Sequence, residues 1–155
     1  MILFLLACGH PLDSADSGAD PSGSTCTSGH YWEGGNEESP VMNPGQDCVA
    51  CHRSGEGPDY TLAGTVMGDY DDEDDCNGVE GVVVSILDAD GKRMSLTTNA
   101  AGNFYTNDDF ALPYTVSIEK DGATREMASE QDDGACNRCH TAAGEEGAPG
   151  RIVAP

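Results

Sequence analysis

The sequence predicts a mainly β protein built around an antiparallel β-sandwich at residues 60–127. Short segments rich in β-branched and aromatic residues recur along this span, and turn-forming residues separate them. Apolar and polar residues alternate at 114–119, which gives that strand one buried and one exposed face. No window of about a dozen residues shows helical apolar spacing without an interrupting Gly or Pro. These observations favour strands over helices.

The remaining strands can be placed in order along this span. Residues 60–67 contain β-branched Thr and Val, and residues 82–87 form a mostly apolar, buried strand. An Asp-Gly pair at 90–91 is a strong turn signal, and it precedes a strand at 93–98. A second turn follows, after which 104–105 resume the extended pattern.

Three short motifs in this span carry a family resemblance. They are A-G-T-V at 63–66, G-V-V-V at 81–84 and T-N-A-A-G-N-F at 98–104, the last expected at a hairpin. Together they resemble the carboxypeptidase regulatory-like, transthyretin-like family of small β-sandwiches, over a little under half of the chain. The resemblance implies an immunoglobulin-like or transthyretin-like sandwich that is a scaffold and supplies no active site.

A C-x-x-C-H sequence flanks the predicted sandwich on each side, at 48–52 and at 136–140. This is the attachment signature of c-type haem, in which both thiols bond to the haem and the histidine binds its iron. Two copies in one short chain predict two covalently attached haems. The expected thioether residues are Cys48, Cys51, Cys136 and Cys139, and the expected proximal iron ligands are His52 and His140.

Two other readings of the four motif cysteines stay open. Two C-x-x-C pairs can chelate one zinc ion in a tetrahedral site, and each pair can instead form a redox or structural disulfide. The histidine that follows each second cysteine favours haem, because neither a four-cysteine zinc site nor a disulfide needs it.

The C-x-x-C-H motif leaves the sixth position of each iron undetermined. Methionine and histidine are the usual ligands there. Met42 lies shortly before the first motif and Met127 shortly before the second, so these two are the predicted distal ligands. His30 is the alternative for either iron, and Met67 and Met94 are further candidates. A role as core filler remains open for each methionine.

The N-terminus resembles the signal of a bacterial lipoprotein. The residues before Cys8 read L-L-A, which is similar to a lipobox, and the resemblance implies that Cys8 carries lipid. Only seven residues precede it, and none is Lys or Arg, so 1–7 is expected to be a remnant of a signal peptide. Gly9 directly follows Cys8, and in this the chain resembles lipoproteins of the outer membrane. Residues 8–29 are rich in Ser, Asp, Gly and Pro and are expected to be a flexible linker.

The last two cysteines are expected to form a disulfide. In an exported protein, Cys26 and Cys76 most simply pair, which ties the N-terminal segment to the acidic run at 69–75. That run lacks the glycine and glutamate spacing of an EF-hand loop and is expected to be a solvated loop.

The remaining parts of the chain are two segments that carry the motifs. Residues 30–59 are the first haem-binding loop segment, and 128–155 are the second together with the C-terminal tail. Arg151 in the tail is either a surface arginine or a partner for a haem propionate.

The net charge of the chain restricts the kinds of molecule that it can bind. The chain has 28 acidic and 7 basic residues and a net charge of −21, which excludes nucleic acid as a partner and would attract basic proteins. The expected function is a membrane-anchored dihaem cytochrome, not an enzyme, that passes electrons between redox proteins in the bacterial cell envelope, at the outer membrane. The alternatives are a haem enzyme or sensor with one open iron site, and a structural lipoprotein whose cysteines hold zinc or disulfides.

Overall fold

The computed structural model of the chain describes residues 38–72 and 75–155. Within these ranges the protein is mainly β, as predicted, with seven strands in two sheets and two short α-helices. The elements in chain order are α1 (Cys48–Cys51), a π-helical turn (His52–Glu56), β1 (Leu62–Met67), β2 (Val83–Leu87), β3 (Arg93–Thr97), β4 (Asn103–Thr106), β5 (Thr115–Lys120), β6 (Ala123–Glu126), α2 (Cys136–Cys139) and β7 (Ile152–Val153). The predictions for Cys8, Cys26, His30, the signal remnant 1–7 and the linker 8–29 lie outside the described residues.

The two sheets share one hydrophobic core. The first sheet has the order β4-β1-β7, with β1 antiparallel to β4 and parallel to β7, and the second is the antiparallel sheet β3-β2-β5-β6. Leu62, Val66 and Phe104 of the first sheet belong to the same buried cluster as Val84 and Ile118 of the second. Burial of each such side chain stabilises the fold by about 1.5–3 kcal/mol. The arrangement is compatible with a β-sandwich.

Strand β1 is buried on both faces, which explains why its sequence does not alternate between apolar and polar residues. Leu62 and Val66 contribute to the core between the sheets. Ala63 belongs to a second buried cluster with Val49, which lies in α1, and Ala135, which directly precedes α2. The two segments that carry the C-x-x-C-H sequences therefore meet on β1.

The turn at 98–104 differs from its prediction. A hairpin was expected there, but β3 and β4 belong to different sheets, so the turn carries the chain from one sheet to the other. The side chain of Asn99 accepts a 3.1 Å hydrogen bond from the backbone N–H of Asn103. Gly102 has a φ of +76°, and a Cβ at this position would lie 2.3 Å from the carbonyl oxygen of Val66. Only glycine fits at position 102, where the chain passes from one sheet to the other.

The Asp-Gly turn after β2 is confirmed. β2 and β3 pair as an antiparallel hairpin across it, and Gly91 has a φ of +80°. The carboxylate of Asp88 accepts backbone hydrogen bonds from Lys92 at 2.8 Å and from Ala111 at 3.0 Å. The bond from Ala111 contributes most to lowering the pKa of Asp88, because it favours the charged carboxylate.

The only α-helices in the described ranges are the single turns formed by the two C-x-x-C sequences. Loop was expected there, and helices this short leave no apolar periodicity to detect. None of the helices described is both long and apolar enough to span a bilayer.

Candidate functional site

The first C-x-x-C-H sequence forms α1 directly after Asp47. The Asp47 side chain accepts a 3.0 Å hydrogen bond from the backbone N–H of Ala50, which caps the start of the helix. Residues three and four apart share one face of a helix. Cys48, Cys51 and His52 therefore lie on one side of this turn.

His52 is held in one orientation by its neighbours. Its Nδ1 lies 2.9 Å from the carbonyl oxygen of Pro58, and its ring centroid lies 4.4 Å from that of Tyr60. A carbonyl oxygen can only accept a hydrogen bond, so Nδ1 carries a proton, and in the neutral imidazole the lone pair is then on Nε2. His52 is only 9% exposed. The arrangement fixes the tautomer in which Nε2 can bind a metal ion.

The second motif repeats this arrangement with different residues. α2 is preceded by Ala135, whose backbone N–H donates a 2.9 Å hydrogen bond to the side chain of Asp133. Nδ1 of His140 lies 2.9 Å from the carbonyl oxygen of Gly150. His140 therefore also carries a proton on Nδ1, and in the neutral imidazole its lone pair is on Nε2.

A cavity of about 320 Å³ opens beside the second motif. Cys136, Cys139 and His140 all line it, and so does Met127, the predicted distal ligand. Its volume falls at the lower end of the range of about 300–1,000 Å³ that is typical of small-molecule sites. Strand residues provide its apolar walls. These are Phe104, Val116, Ile118, Ile152 and Val153.

The two motifs are joined by a buried amide. Asn137, which is only 4% exposed, lies between the two cysteines of the second motif. Its Nδ2 donates hydrogen bonds to the carbonyl oxygen of Gln46 at 2.8 Å and to the hydroxyl of Thr65 at 3.0 Å. Its Oδ1 accepts a 3.0 Å bond from the backbone N–H of Thr65. Since Gln46 lies two residues before Cys48, this side chain fixes the second motif to the start of the first across β1.

The motif cysteines are not equivalent. Cys48, Cys136 and Cys139 are free thiols, whereas Cys51 is disulfide-bonded. Cys76 is also disulfide-bonded. Its predicted partner Cys26 lies outside the described residues, so that pairing stays a prediction.

The three free thiols have raised pKa values. Burial raises the pKa of Cys48 to about 11 and that of Cys136 to about 12. Burial is also the largest cause of the raised pKa of Cys139, and the carboxylate of Glu146 adds to it. A redox-active C-x-x-C pair typically has a thiol with a lowered pKa. These three thiols have the opposite property and are neutral at physiological pH.

The predicted distal methionines have different surroundings. Met127 lines the cavity together with His140. Met42 lies before α1, where its backbone N–H donates to the carbonyl of Ser39 at 3.0 Å and its carbonyl accepts from Asn103 at 2.9 Å. The other candidates take the role of core filler, since Met67 is fully buried and Met94 packs against the core.

Arg151 is not the surface arginine that was one of the two roles expected for it. It is only 7% exposed, and its guanidinium forms a buried ion pair with Asp75. The other carboxylate oxygen of Asp75 accepts a 3.0 Å hydrogen bond from the side chain of Gln46. The acidic run was expected to be solvated, and Asp69 and Asp71 are indeed exposed, but Asp75 is buried. The reason is that burial of one carboxylate is offset by its pairing with Arg151.

The four motif cysteines do not assemble into one metal site. In the ranges 38–72 and 75–155, no three side chains of the His, Cys, Asp and Glu types lie close enough together to hold a metal ion. Comparison with known proteins adds no assignment: no protein-family model, curated protein or solved structure matches the chain.

Proposed function

We propose that this protein is a membrane-anchored dihaem c-type cytochrome that passes electrons between redox proteins in the bacterial cell envelope. The observation that carries the proposal is the pair of 2.9 Å contacts from Nδ1 of His52 and His140 to backbone carbonyls. Histidines that bind a metal almost always donate their second ring N–H in this way, which fixes the tautomer and orients the ring. Both motif histidines are prepared to bind iron through Nε2.

The second motif fits a covalent haem well. Cys136 and Cys139 are free thiols, and each S–H can add across a vinyl double bond to form a thioether without any net oxidation or reduction. The apolar walls of the adjacent cavity can cover a porphyrin face and exclude water from it. Met127 lines the same cavity and would be the sixth ligand. When bound, each haem supplies an iron that carries one electron by cycling between its ferrous and ferric states.

The first motif needs one chemical step before it can take a haem. Cys48 is a free thiol, but Cys51 must be released from its disulfide by a thiol reductant, which supplies two electrons and two protons. His52 already has its Nδ1–H bound to Pro58. Met42 and His30 remain the proposed distal ligands at this site.

The rest of the chain supports electron exchange rather than catalysis under this proposal. The sandwich would be a transthyretin-like scaffold between the two haem segments, and the net charge of −21 would attract basic redox partners. Lipid on Cys8 and the linker 8–29 would tether the protein at the outer membrane, and the disulfide would join Cys26 to Cys76.

The test is haem content after denaturation, because only covalent haem survives it. We expect haem staining after denaturing electrophoresis and an intact mass of the mature protein that includes two haems. The double variant Cys136→Ser/Cys139→Ser should lose one haem, and Cys48→Ser/Cys51→Ser should lose the other. Cys76→Ser is the matched control, because it removes a cysteine outside both motifs and should retain both haems. A full-length mature chain without covalent haem would refute the proposal.

One observation favours a second candidate, a structural lipoprotein whose cysteines form disulfides. Cys51 is disulfide-bonded even though it belongs to a C-x-x-C-H motif. If this candidate is correct, the mature protein stains for no haem, and apart from its lipid its mass shows only the loss of two hydrogen atoms per disulfide.

A further inference from the structure

The cavity beside the second motif brings together basic and acidic side chains. Three of the seven Lys and Arg residues line it, namely Arg125, Arg138 and Arg151. Acidic side chains line it as well. These are Glu126, Asp132, Asp133 and Glu146. An anionic group that enters the cavity therefore needs a cation that is not already neutralised.

Arg125 is the one cavity arginine in the described ranges without a carboxylate partner. Arg138 pairs with Asp133 and Glu146, and Arg151 pairs with Asp75. The guanidinium of Arg125 instead lies over the ring of Tyr70, 5.1 Å from the ring centroid. This cation–π contact orients the guanidinium and leaves its N–H donors unpaired.

The position of Arg125 matches the polarity of a haem. Cys136 lies at the inner end of the cavity, where it packs against the hydrophobic core, and its Cβ is within 2.8 Å of where a side chain on Gly64 would begin. Arg125 and Tyr70 lie at the outer end, since Tyr70 is 37% exposed. A haem has an apolar edge with the vinyl groups and an opposite edge with two anionic propionates. Attachment at the inner end directs the propionates outward.

We propose that Arg125 binds a propionate of the haem attached at Cys136 and Cys139. A guanidinium presents a planar fork of donors that matches a carboxylate in bidentate geometry. This inference rests on the proposed function, because it concerns a haem at the second motif. It makes Arg125 a positioning residue, which sets the orientation of the porphyrin and the charge next to it.

The test compares three variants of the haem-loaded, full-length protein. Arg125→Gln removes the charge, Arg125→Lys keeps the charge but loses the fork, and Arg93→Gln is the control. Arg93 is exposed in β3, at the opposite edge of the sheet from β6, and it does not line the cavity. Its variant therefore removes the same charge from the chain without changing the cavity. The readouts are the propionate bending band in the resonance Raman spectrum and the reduction midpoint of each haem.

Arg125→Gln should shift the propionate band of one haem and lower its midpoint, because a nearby cation favours the less positive ferrous state. Arg125→Lys should give an intermediate midpoint, and Arg93→Gln should change neither readout. If haem is present on the peptide containing Cys136 and Cys139 and Arg125→Gln changes nothing, this inference fails while the proposed function stands. If that peptide carries no haem, both fail.

Discussion

The two C-x-x-C-H motifs share a local structure and differ in their surroundings. Each forms a single helical turn, and each histidine has Nδ1 within 2.9 Å of a backbone carbonyl. Beyond that, His140 lines a cavity, whereas His52 is almost fully buried against Tyr60. The second motif has two free thiols, and the first has one.

The local shape of each motif depends on its own five residues, whereas the space beside the motif depends on the rest of the fold. Five residues are enough to place two cysteines and a histidine on one face of a turn. The space beside them depends on distant residues, such as Met127 after β6 and Val153 in β7. Under the proposed function, the second motif is therefore the more complete of the two haem sites.

The largest expected effect concerns the sixth iron ligand. If the second motif carries the proposed haem, Met127→Ala should abolish the sulfur-to-iron charge-transfer band of that haem, because Met127 lines the same cavity as His140. Magnetic circular dichroism of the oxidised protein measures this band directly. Met42→Ala is the matched comparison and tests the same proposal at the first motif.

The outcomes of these two variants separate the sites. Loss of a band only in Met127→Ala supports a methionine ligand at the second site alone. A wild-type protein without any such band would refute methionine ligation at both sites and direct attention to His30.

The next largest effect concerns the ion pair that connects the two regions. Asp75 contacts Gln46, which precedes the first motif, and Arg151, which lines the cavity of the second. Asp75→Ala leaves the Arg151 guanidinium buried and without its carboxylate, so the free energy of unfolding should fall by about 3–5 kcal/mol. Urea denaturation of the haem-free protein measures the change.

Asp71→Ala is the control for this prediction. Asp71 belongs to the same acidic run but is exposed, so its removal should change the stability by less than about 0.5 kcal/mol. Equal effects of the two variants would contradict the structural role assigned to Asp75.

A smaller effect is expected at the amide that joins the motifs. Asn137→Ala leaves the backbone N–H of Thr65 and the carbonyl of Gln46 without this partner, which should cost about 1–3 kcal/mol. Arg138→Ala, one residue further on, removes an exposed ion pair and should therefore lower the stability less. If urea denaturation shows that Asn137→Ala lowers the free energy of unfolding no more than Arg138→Ala does, the buried amide does not hold the motifs together.

Local patterns account for the parts of the fold that the sequence predicted. β1 to β5 follow from β-branched segments and turn signals, and the Asp-Gly turn is where it was expected. β6 was missed because its side chains are mostly exposed, so it has no buried face to produce an alternating pattern. β7 was missed because it has two residues in a Gly- and Pro-rich tail and forms only by pairing with β1.

The polar residues of the candidate site could not be predicted in the same way. Asn137 is buried by partners 72 and 91 residues away along the chain, and Arg151 is paired with a residue 76 positions earlier. Nothing in their neighbouring sequence distinguishes them from surface residues. Long-range contacts decide their burial, and the histidine orientation is likewise set by Pro58 and Gly150, outside both motifs.

The smallest expected effect is a difference in reactivity among the free thiols of the haem-free protein. Only a thiolate reacts readily with iodoacetamide, and the raised pKa values of about 11 for Cys48 and about 12 for Cys136 keep both protonated at pH 8. Their alkylation rates should be low there and rise about tenfold for each pH unit until the pH reaches the pKa. Cys139 is less buried, so it should react faster than either at pH 8. Peptide mass mapping after timed alkylation measures all three rates in one sample. If Cys136 reacts as fast as Cys139, water reaches the inner end of the cavity. The second motif then has no dry apolar pocket in solution, and this difference from the first motif does not exist.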